Sequence, residues 1–473
     1  MDRVAPSGPH DKIQAFARRL PGLILGLIVA GAGYDMRAEA ETMSSALARA
    51  YGGNPDLNQQ RAGVRAVDET LPQATSQWRP TATASAQYGF NYLDSRVTGG
   101  RTRAATDPGT LALSVTQNLF NGNRTLNGTR QAQSNIFGAR ESLRNTEQTV
   151  LLNGATAYMD VLRDSAVLNL RKNNITVLEE QLRQTRDRFN VGEVTRTDVA
   201  QAESSLASAR SDYFVAQANL ETSVANFRQV IGVEPKHLEA ARTIESLLPR
   251  NVKVAVDVGL GEHPGIQAAL HEVDAAELQV KINEGQLYPT VGVTGTVAQN
   301  YNFQGVSGAR VFNGAVTAQV SVPIYEGGLY YAQVRQAKET LSQARLQADL
   351  QRNSVRAAVV SAWGVLQSAK AVIQSTLAAV KAAEIALEGV REEAKVGQRT
   401  TLDVLNAQQL LLNTRVALVS AQHDRVVASY AVMSAVGRLS AANLSLNVIE
   451  YDPTIHFDQV KDKWIGVHTP DGR

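Results

Sequence analysis

The residues best suited to chemistry lie in two copies of one short polar motif. Residues 191–199 read Val-Gly-Glu-Val-Thr-Arg-Thr-Asp-Val, and residues 396–404 read Val-Gly-Gln-Arg-Thr-Thr-Leu-Asp-Val. The glycine in each copy is the residue type that most easily ends a helix in a left-handed conformation. Asp198 and Asp403 follow where a carboxylate satisfies the free amides at the start of the next helix. The motif therefore predicts two helix-turn-helix tips in which these carboxylates cap the returning helices.

No other group of residues has the composition and spacing of an enzyme active site. The turn at Gly122 and Asn123 lacks the Lys-Ser/Thr pair of a phosphate loop, so it is predicted to join a strand to a helix. Paired glutamates at 179–180 and 392–393 lie among arginines and lysines, which is typical of a solvated helix face. The sequence predicts no catalytic residue, cofactor or metal site. The histidines lack the spacing of a helical metal site: His237, His263, His271, His423, His456 and His468.

Composition excludes further classes of protein. A formal net charge of +2 and 5% aromatic residues give no basic stripe of the kind that nucleic-acid binders carry. The absence of cysteine excludes disulfides, thiolate metal sites and a lipid-acceptor cysteine. Arg18 and Arg19 precede an apolar run at residues 20–32 and a small-x-small site at residues 38–40. We therefore expect residues 1–40 to be a cleaved secretory signal peptide.

An internal repeat determines the organisation of the remaining chain. The glycines of the two tip motifs are 397 − 192 = 205 residues apart, and the same offset relates Gly232 to Gly437. Further upstream, Pro80 matches Pro289 at an offset of 209. The difference, 209 − 205 = 4 residues, predicts a longer loop in the first copy between Pro80 and Leu119. One structural unit is therefore used twice.

Each copy contains a strand hairpin. Apolar and polar residues alternate strictly from Thr81 to Tyr92, which predicts a strand with one apolar and one polar face. A return strand follows, so hairpins are expected at about residues 81–120 and 290–325, giving four strands per chain. Four strands do not close on themselves, since membrane barrels begin at eight, and open edges are not tolerated in lipid. Two chains would supply eight strands and three would supply twelve, and composition does not choose between them.

Each copy also contains a very long helix. Residues 124–190 and 329–395 have almost no Pro or Gly, and at 1.5 Å per residue each predicts a helix of roughly 100 Å. The returning helices carry apolar residues three and four positions apart, as in a coiled coil. The shorter helices are expected at about residues 42–77, 198–230, 264–287 and 403–435.

The whole mature chain resembles the TolC family of outer-membrane efflux and secretion channels, in its non-lipidated branch. The likeness rests on the duplicated order of strand hairpin and helix hairpin, and on residues 396–405, which are especially close to the family's tip pattern. It implies a mixed membrane protein with four transmembrane β-strands and long antiparallel coiled-coil helices per chain. Three chains would form a 12-stranded β-barrel joined to a 12-helix periplasmic α-barrel.

The resemblance also implies a function and a division of the chain. The function is an exit duct for multidrug efflux or type I protein secretion in the outer membrane of a Gram-negative bacterium. The partners are two sister subunits, a periplasmic adaptor (membrane fusion) protein, an inner-membrane RND or ABC transporter and outer-membrane lipid, with no cofactor. The division is a first repeat at 41–232 with a helix hairpin at 124–231, an equatorial linker at 233–262, a second repeat at 263–437 with a helix hairpin at 329–436, and an equatorial tail at 438–473.

Within the tips, the resemblance assigns gate and docking roles. Arg399 would link to Asp198 and hold the periplasmic entrance shut, while Asp403 would form a weak cation ring. Ala394 stands where the best-known gate has a tyrosine, and Asn406 where it has a second aspartate, so a looser gate is expected. The residues expected to dock on the adaptor are Val191, Gly192, Thr195, Thr197, Val396, Gly397, Thr400 and Thr401.

Two other functions fit part of the sequence. A stand-alone diffusion porin would explain the strands, but porins lack the long helices. A periplasmic coiled-coil scaffold would explain the helices, but it leaves the alternating strands and the export signal without a purpose.

Overall fold

The computed structural model describes residues 41–472, and the predicted signal peptide at residues 1–40 lies outside the described residues. The elements are, in chain order, α1 (Met43–Gly53), α2 (Pro55–Asp68), α3 (Thr70–Ser76), β1 (Thr81–Tyr88), β2 (Asn91–Val97), β3 (Gly100–Thr106), β4 (Gly109–Asn121), α4 (Arg124–Asn190), α5 (Arg196–Ile231), α6 (Val252–Glu262), α7 (Pro264–Glu284), β5 (Thr290–Tyr301), β6 (Arg310–Ser321), α8 (Leu329–Lys395), α9 (Thr401–Ala435) and α10 (Pro453–Val460).

The two longest helices repeat the sequence offset. α4 and α8 have 67 residues each, and their ends are 329 − 124 = 205 and 395 − 190 = 205 residues apart. Neither contains proline, so no backbone hydrogen bond of either helix is interrupted in that way. α5 and α9 return along them, and α7 contacts both α4 and α8. None of the helices between residues 41 and 472 is both long and apolar enough to cross a membrane.

Four strands form one antiparallel sheet in the order β1-β4-β5-β6. The register aligns apolar residues across neighbouring strands, since Ala84 lies opposite Leu113 and Leu113 opposite Val297. On the other face Thr83 lies opposite Ser114, and Ser114 lies opposite Thr296. The alternation predicted from the sequence therefore gives the sheet one apolar and one polar face. Within the described chain, the outer edges of β1 and β6 have no partner strand.

The first hairpin is longer than the sequence predicts. Beyond β1 and β4 the chain continues into a separate two-stranded sheet of β2 and β3, so the described residues contain six strands instead of four. Asp94 on β2 binds Arg101 and, at 3.3 Å, Arg103 on β3. At the corresponding end of the second hairpin, β5 and β6 are joined by a loop with a single helical turn at Phe303–Gly305. Opposite charges facing one another across β2 and β3 favour the extra pairing.

The predicted helix at 42–77 is three helices, α1, α2 and α3. The side chain of Asn54 accepts a hydrogen bond from the Asp56 amide at 2.9 Å and caps α2, whose first residue is Pro55. Proline is favoured at that position and disfavours a helical conformation in the residue before it, so α1 ends there. α2 ends at Asp68, a fully buried residue whose Oδ2 lies 3.0 Å from Nδ1 of His456 in α10.

The two copies of the repeat bury equivalent residues. The first core surrounds Phe227 and includes Leu57, while the second surrounds Val432 and includes Ile266. These residues correspond at 432 − 227 = 205 and 266 − 57 = 209, the same two offsets that relate the sequence repeats. Each core contains residues of its long helix, its returning helix and a short helix from before the hairpin, and the first core also includes Val426, Tyr430 and Met433 of α9. The duplication thus extends from sequence to packing.

α6 is the counterpart of α1. Its ends are displaced from those of α1 by 252 − 43 = 209 and 262 − 53 = 209 residues. Ala46 of α1 and Ala255 of α6 are both fully buried in their respective cores. The structural repeat therefore reaches back to residue 252, although the division based on sequence assigns residues 252–262 to the equatorial linker.

We expect substitution of Gly437 to be more damaging than substitution of its counterpart Gly232. Both have left-handed backbones, with φ of +89° and +88°. A Cβ added at Gly437 would lie 2.7 Å from Cα of His263, whereas one at Gly232 would meet nothing within 4 Å. Gly232→Ala should cost about 1–2 kcal/mol in backbone strain, and Gly437→Ala should cost that amount plus a backbone clash. Thermal unfolding of the purified protein in detergent measures both, and equal losses would contradict the close approach at Gly437.

Candidate functional site: the two helical tips

The first tip is the turn between α4 and α5. Thr195 caps α5: its hydroxyl oxygen accepts a hydrogen bond from the Asp198 amide at 3.3 Å, and Oδ2 of Asp198 accepts one from the Thr195 amide at 2.9 Å. This reciprocal pair is a capping box and satisfies two amides that the helix leaves free. Gly192 has a φ of +81°, and its amide bonds to the carbonyl of Phe189 at 3.0 Å. Both helix ends at this tip are therefore closed by the motif's own residues.

The second tip, between α8 and α9, has the same construction. The Thr400 hydroxyl oxygen accepts from the Asp403 amide at 3.2 Å, and Oδ2 of Asp403 accepts from the Thr400 amide at 3.0 Å. Gly397 has a φ of +78°, and its amide bonds to the carbonyl of Ala394 at 3.2 Å. The first-turn carboxylate that the sequence places at each tip therefore has a structural role in both copies.

The capping boxes also keep both aspartates charged. Hydrogen bonds from the Thr195 hydroxyl and amide hold the pKa of Asp198 below its ordinary value of 3.8. The amide and hydroxyl of Thr400 do the same for the pKa of Asp403. A lowered carboxylate pKa stabilises the fold above the ordinary value and loses that effect only as the pH falls through the folded value. Both caps therefore persist at neutral and mildly acidic pH.

The tips carry ion pairs of opposite polarity. In the first tip, Arg188 near the end of α4 binds the loop residue Glu193 at 3.0 Å. In the second, Glu393 near the end of α8 binds the loop residue Arg399 at 2.7 Å. Arg188 and Glu393 occupy equivalent positions, since 393 − 188 = 205. The cation is thus on the helix side in the first tip and on the loop side in the second.

These ion pairs were not predicted from the sequence: Arg188 and Glu393 lie outside the tip motifs, and Glu193 was assigned no partner within its motif. Glu393 was predicted to lie on a solvated helix face, whereas in the structure this carboxylate raises the pKa of Arg399 through a hydrogen bond. The sequence did contain a signal for these pairs: the charge is positive at Arg188 and negative at the equivalent residue Glu393.

The residues predicted to form a gate lie at the tips but have local partners within the described chain. Arg399 binds Glu393, and Asp198 binds Thr195. Oδ2 of Asp198 accepts both hydrogen bonds from Thr195, so Oδ1 is the atom that a cationic side chain would approach. The predicted link between Arg399 and Asp198 stays a prediction about the assembled protein. The same holds for the cation ring, since no described group of three or more acidic, His or Cys side chains is placed to hold a metal.

The predicted docking residues form an exposed surface at each tip. Val191 and Val396 are each 71% exposed, although both are apolar. Thr195, Thr197 and Thr400 are also exposed, whereas Thr401 is buried at the start of α9. Each tip therefore presents one prominent valine beside small polar side chains, and docking at these surfaces stays a prediction.

A family model described as outer membrane efflux protein matches residues 46–233 and 256–438. The chain is 42% identical over 451 residues to the outer membrane efflux protein BepC of Brucella suis biovar 1 (strain 1330), covering 95% of this chain and 96% of that protein. It is 26% identical over 444 residues to the outer membrane protein TolC of Escherichia coli (strain K12), covering 90% and 88% of the two chains. These matches span both copies of the repeat.

The fold is similar to that of solved outer-membrane channels. The Campylobacter jejuni CmeC outer membrane channel matches with a TM-score of 0.77 at 16% identity, covering 89% of each chain. At this identity the similarity concerns the fold alone, and it agrees with the strong helical majority of the described residues.

Loss of the second capping box should loosen the start of α9 and leave α5 unchanged. Thr400→Ala removes the acceptor for the Asp403 amide, a loss that typically costs about 1 kcal/mol and corresponds to roughly fivefold faster amide exchange. Hydrogen exchange at Asp403, with Thr400→Ser as the control that keeps the hydroxyl, measures the effect. Unchanged exchange at Asp403, or equal acceleration at Asp198 of the untouched tip, would contradict the assignment.

Proposed function

Because the chain belongs to the outer membrane efflux protein family, we propose that it is a passive exit duct for multidrug efflux or type I protein secretion. The protein resides in the outer membrane of a Gram-negative bacterium, and its family consists of channel proteins. One observation carries the proposal: a sheet with an apolar face and two open edges is joined to two 67-residue helices in the same chain. No catalytic step is needed, because an attached pump supplies the energy.

Three copies are proposed to share the strands. β1 and β6 are the outer strands of each sheet, so β6 of one copy would pair with β1 of the next. Such pairing satisfies the edge amides and carbonyls, which lipid does not do. Three copies of the four-stranded sheet would give a 12-stranded barrel, apolar toward lipid and polar toward the bore, as in other outer-membrane barrels.

The helices are proposed to continue the bore into the periplasm. Each chain supplies two helix hairpins, and three chains would surround the bore with twelve helices or stacked helices. Residues 233–262 and 438–473 would form an equatorial belt around them. Part of this belt is fixed to the first core: the Tyr158 hydroxyl lies 2.6 Å from the Glu41 carbonyl oxygen and 2.8 Å from that of Glu239.

The tips are proposed to dock on a periplasmic adaptor coupled to an inner-membrane RND or ABC transporter. The support is the exposure of Val191 and Val396 at 71% each on loops that their own capping boxes make rigid. Exposed apolar side chains on a rigid loop lose little conformational freedom when they are covered by a partner. A partner with shallow apolar pockets would fit both tips.

The gate is proposed to close when Arg399 breaks its ion pair with Glu393 and forms one with Asp198. Arg399 is already held by an exposed carboxylate at 2.7 Å, so the exchange replaces one surface ion pair by another and changes the free energy little. The opposite polarity of the two tips supports contact between unlike tips. An adaptor that attracts either residue would therefore open the entrance.

Replacing Arg399 should raise the conductance of the closed channel. Arg399→Ser removes the Asp198 pair of the closed state and the Glu393 pair of the open state, so only the difference between the two pairs shifts the open-to-closed ratio. With three pairs worth about 0.2–1 kcal/mol each, the shift is at most about 150-fold. Single-channel recording in planar bilayers compares Arg399→Ser with Arg188→Ser, which removes the exposed arginine of the other tip. We expect higher conductance from the first variant only, and an unchanged conductance for Arg399→Ser would rule out this gate.

A deletion strain tests the function as a whole. We expect loss of the gene to increase sensitivity to antibiotics and detergents, to abolish secretion of one or more proteins, or both, and we expect the wild-type gene to restore each. The variant Val191→Asp/Val396→Asp should insert normally but fail to restore export, because charged tips disrupt an apolar contact. A strain with unaltered resistance and secretion would contradict the duct. Full rescue by the double variant would instead favour a stand-alone porin.

A further inference from the structure

The segment after α10 exposes an apolar surface that the proposed duct does not use. Trp464 is 67% exposed, Ile465 is 89% exposed and Val467 is 91% exposed. These three residues lie close together in a short segment without regular secondary structure. Isolated apolar residues on a surface are normal, but a consecutive exposed group containing tryptophan marks an interaction site.

The position of this segment is fixed at the start of the sheet. Nη1 of Arg79 donates a hydrogen bond to the Lys463 carbonyl oxygen at 2.7 Å, and the Arg79 guanidinium lies 4.5 Å from the centre of the Trp464 ring. Arg79 is two residues before Thr81, the first residue of β1. The Trp464 ring is therefore held beside the helix-side end of a strand that the proposed duct places in lipid.

α10 holds the segment from the other side. His456 of α10 is buried and lies 3.0 Å from the fully buried carboxylate of Asp68. Phe457 packs against the small core around Leu71 and Ile136. Because α10 is fixed to α2, α3 and α4 by these contacts, the exposed segment that follows has a defined place in the fold.

Exposed aromatic residues occur at the same end of the other strands. Trp78 is 41% exposed just before β1, Tyr288 is 57% exposed just before β5, and Tyr325 is 77% exposed after β6. Tryptophan and tyrosine favour the boundary between lipid chains and water, because their rings are apolar and carry a polar group. Trp464 adds a further aromatic residue to this level from outside the sheet.

We propose that residues 464–467 insert into the phospholipid head-group region of the periplasmic leaflet and anchor the equatorial tail to the bilayer. The inference rests on the proposed membrane position of the strands. Arg79 and Lys463 lie beside the segment, and their charge is complementary to lipid phosphate, whereas Lys461 is paired with Asp458 at 2.8 Å. Trp464, Ile465 and Val467 supply the apolar contact, and Arg79 keeps them at the level of the first residues of β1.

Quenching of tryptophan fluorescence by brominated phospholipid tests the anchor, because the chain has three tryptophans, Trp78, Trp363 and Trp464. Two single-tryptophan variants of the full chain, with phenylalanine at the other two sites, retain either Trp464 or Trp363. Trp363 is the control, since it packs partly buried against the second core. A third variant lacks all native tryptophans and carries Val316→Trp on the apolar face of β6, where Val316 is 81% exposed.

Each variant is reconstituted in vesicles of phosphatidylcholine brominated either near the glycerol end or near the chain end. We expect Trp464 to lose most of its fluorescence with bromine near the glycerol end and less with deep bromine, while Trp363 is unaffected. If Trp464 is not quenched but the tryptophan introduced by Val316→Trp is, the anchor is wrong and the duct stands. If neither is quenched, the membrane position of the strands is wrong, and the anchor with it.

Discussion

The two edges of the β1-β4-β5-β6 sheet, which have no partner strand between residues 41 and 472, are the constraint from which the rest of the structure follows. An edge strand presents free amides and carbonyls, and in lipid each unsatisfied group costs several kcal/mol. The sheet nevertheless has a largely apolar face, with Leu113 between Ala84 and Val297, and exposing that face to water is unfavourable. Both requirements are met when the apolar face contacts lipid and each edge pairs with the edge of another copy. Assembly is then part of folding and not a later association of finished subunits.

Duplication accounts for most of the remaining architecture, because one structural unit is used twice. Equivalent cores around Phe227 and Val432 place two helix hairpins beside one another, so the described chain has two similar helical sectors, which the proposed duct would arrange in a ring. The differences between the copies are small and are concentrated where function requires asymmetry. The polarity of the Arg188–Glu193 pair is reversed in the second tip. Within the described residues, the extended first hairpin and the C-terminal segment after α10 have no counterpart in the other copy, and they lie at opposite ends of the sheet.

Features that depend on neighbouring residues in the sequence were predictable, whereas contacts between residues far apart in the sequence were not. The long helices and the two faces of the sheet follow from uninterrupted helical composition and strict alternation, which are local properties. The tip caps were predictable for the same reason, since Thr195 and Asp198 are three residues apart. The pairing of Asp68 with His456 joins residues separated by 388 positions, and no local pattern indicates it. The pairing of β2 with β3 was not predicted, because the offset between the two copies gives only the net difference in loop length and not the structure within the loop. The ion pairs at the tips were not predicted either, because each joins residues on opposite sides of a turn.

Disulfide trapping tests the central claim most directly, because the chain has no native cysteine. Thr83→Cys on β1 is combined in turn with a cysteine at Asn313, Ala315, Thr317 or Gln319 on β6, all on the polar face of the sheet. Closure between copies predicts that at least one combination oxidises in outer membranes to a species of three chains, while every single-cysteine control stays monomeric. If all four combinations give only monomers or dimers while the protein is inserted, the sheet edges do not close in the proposed way.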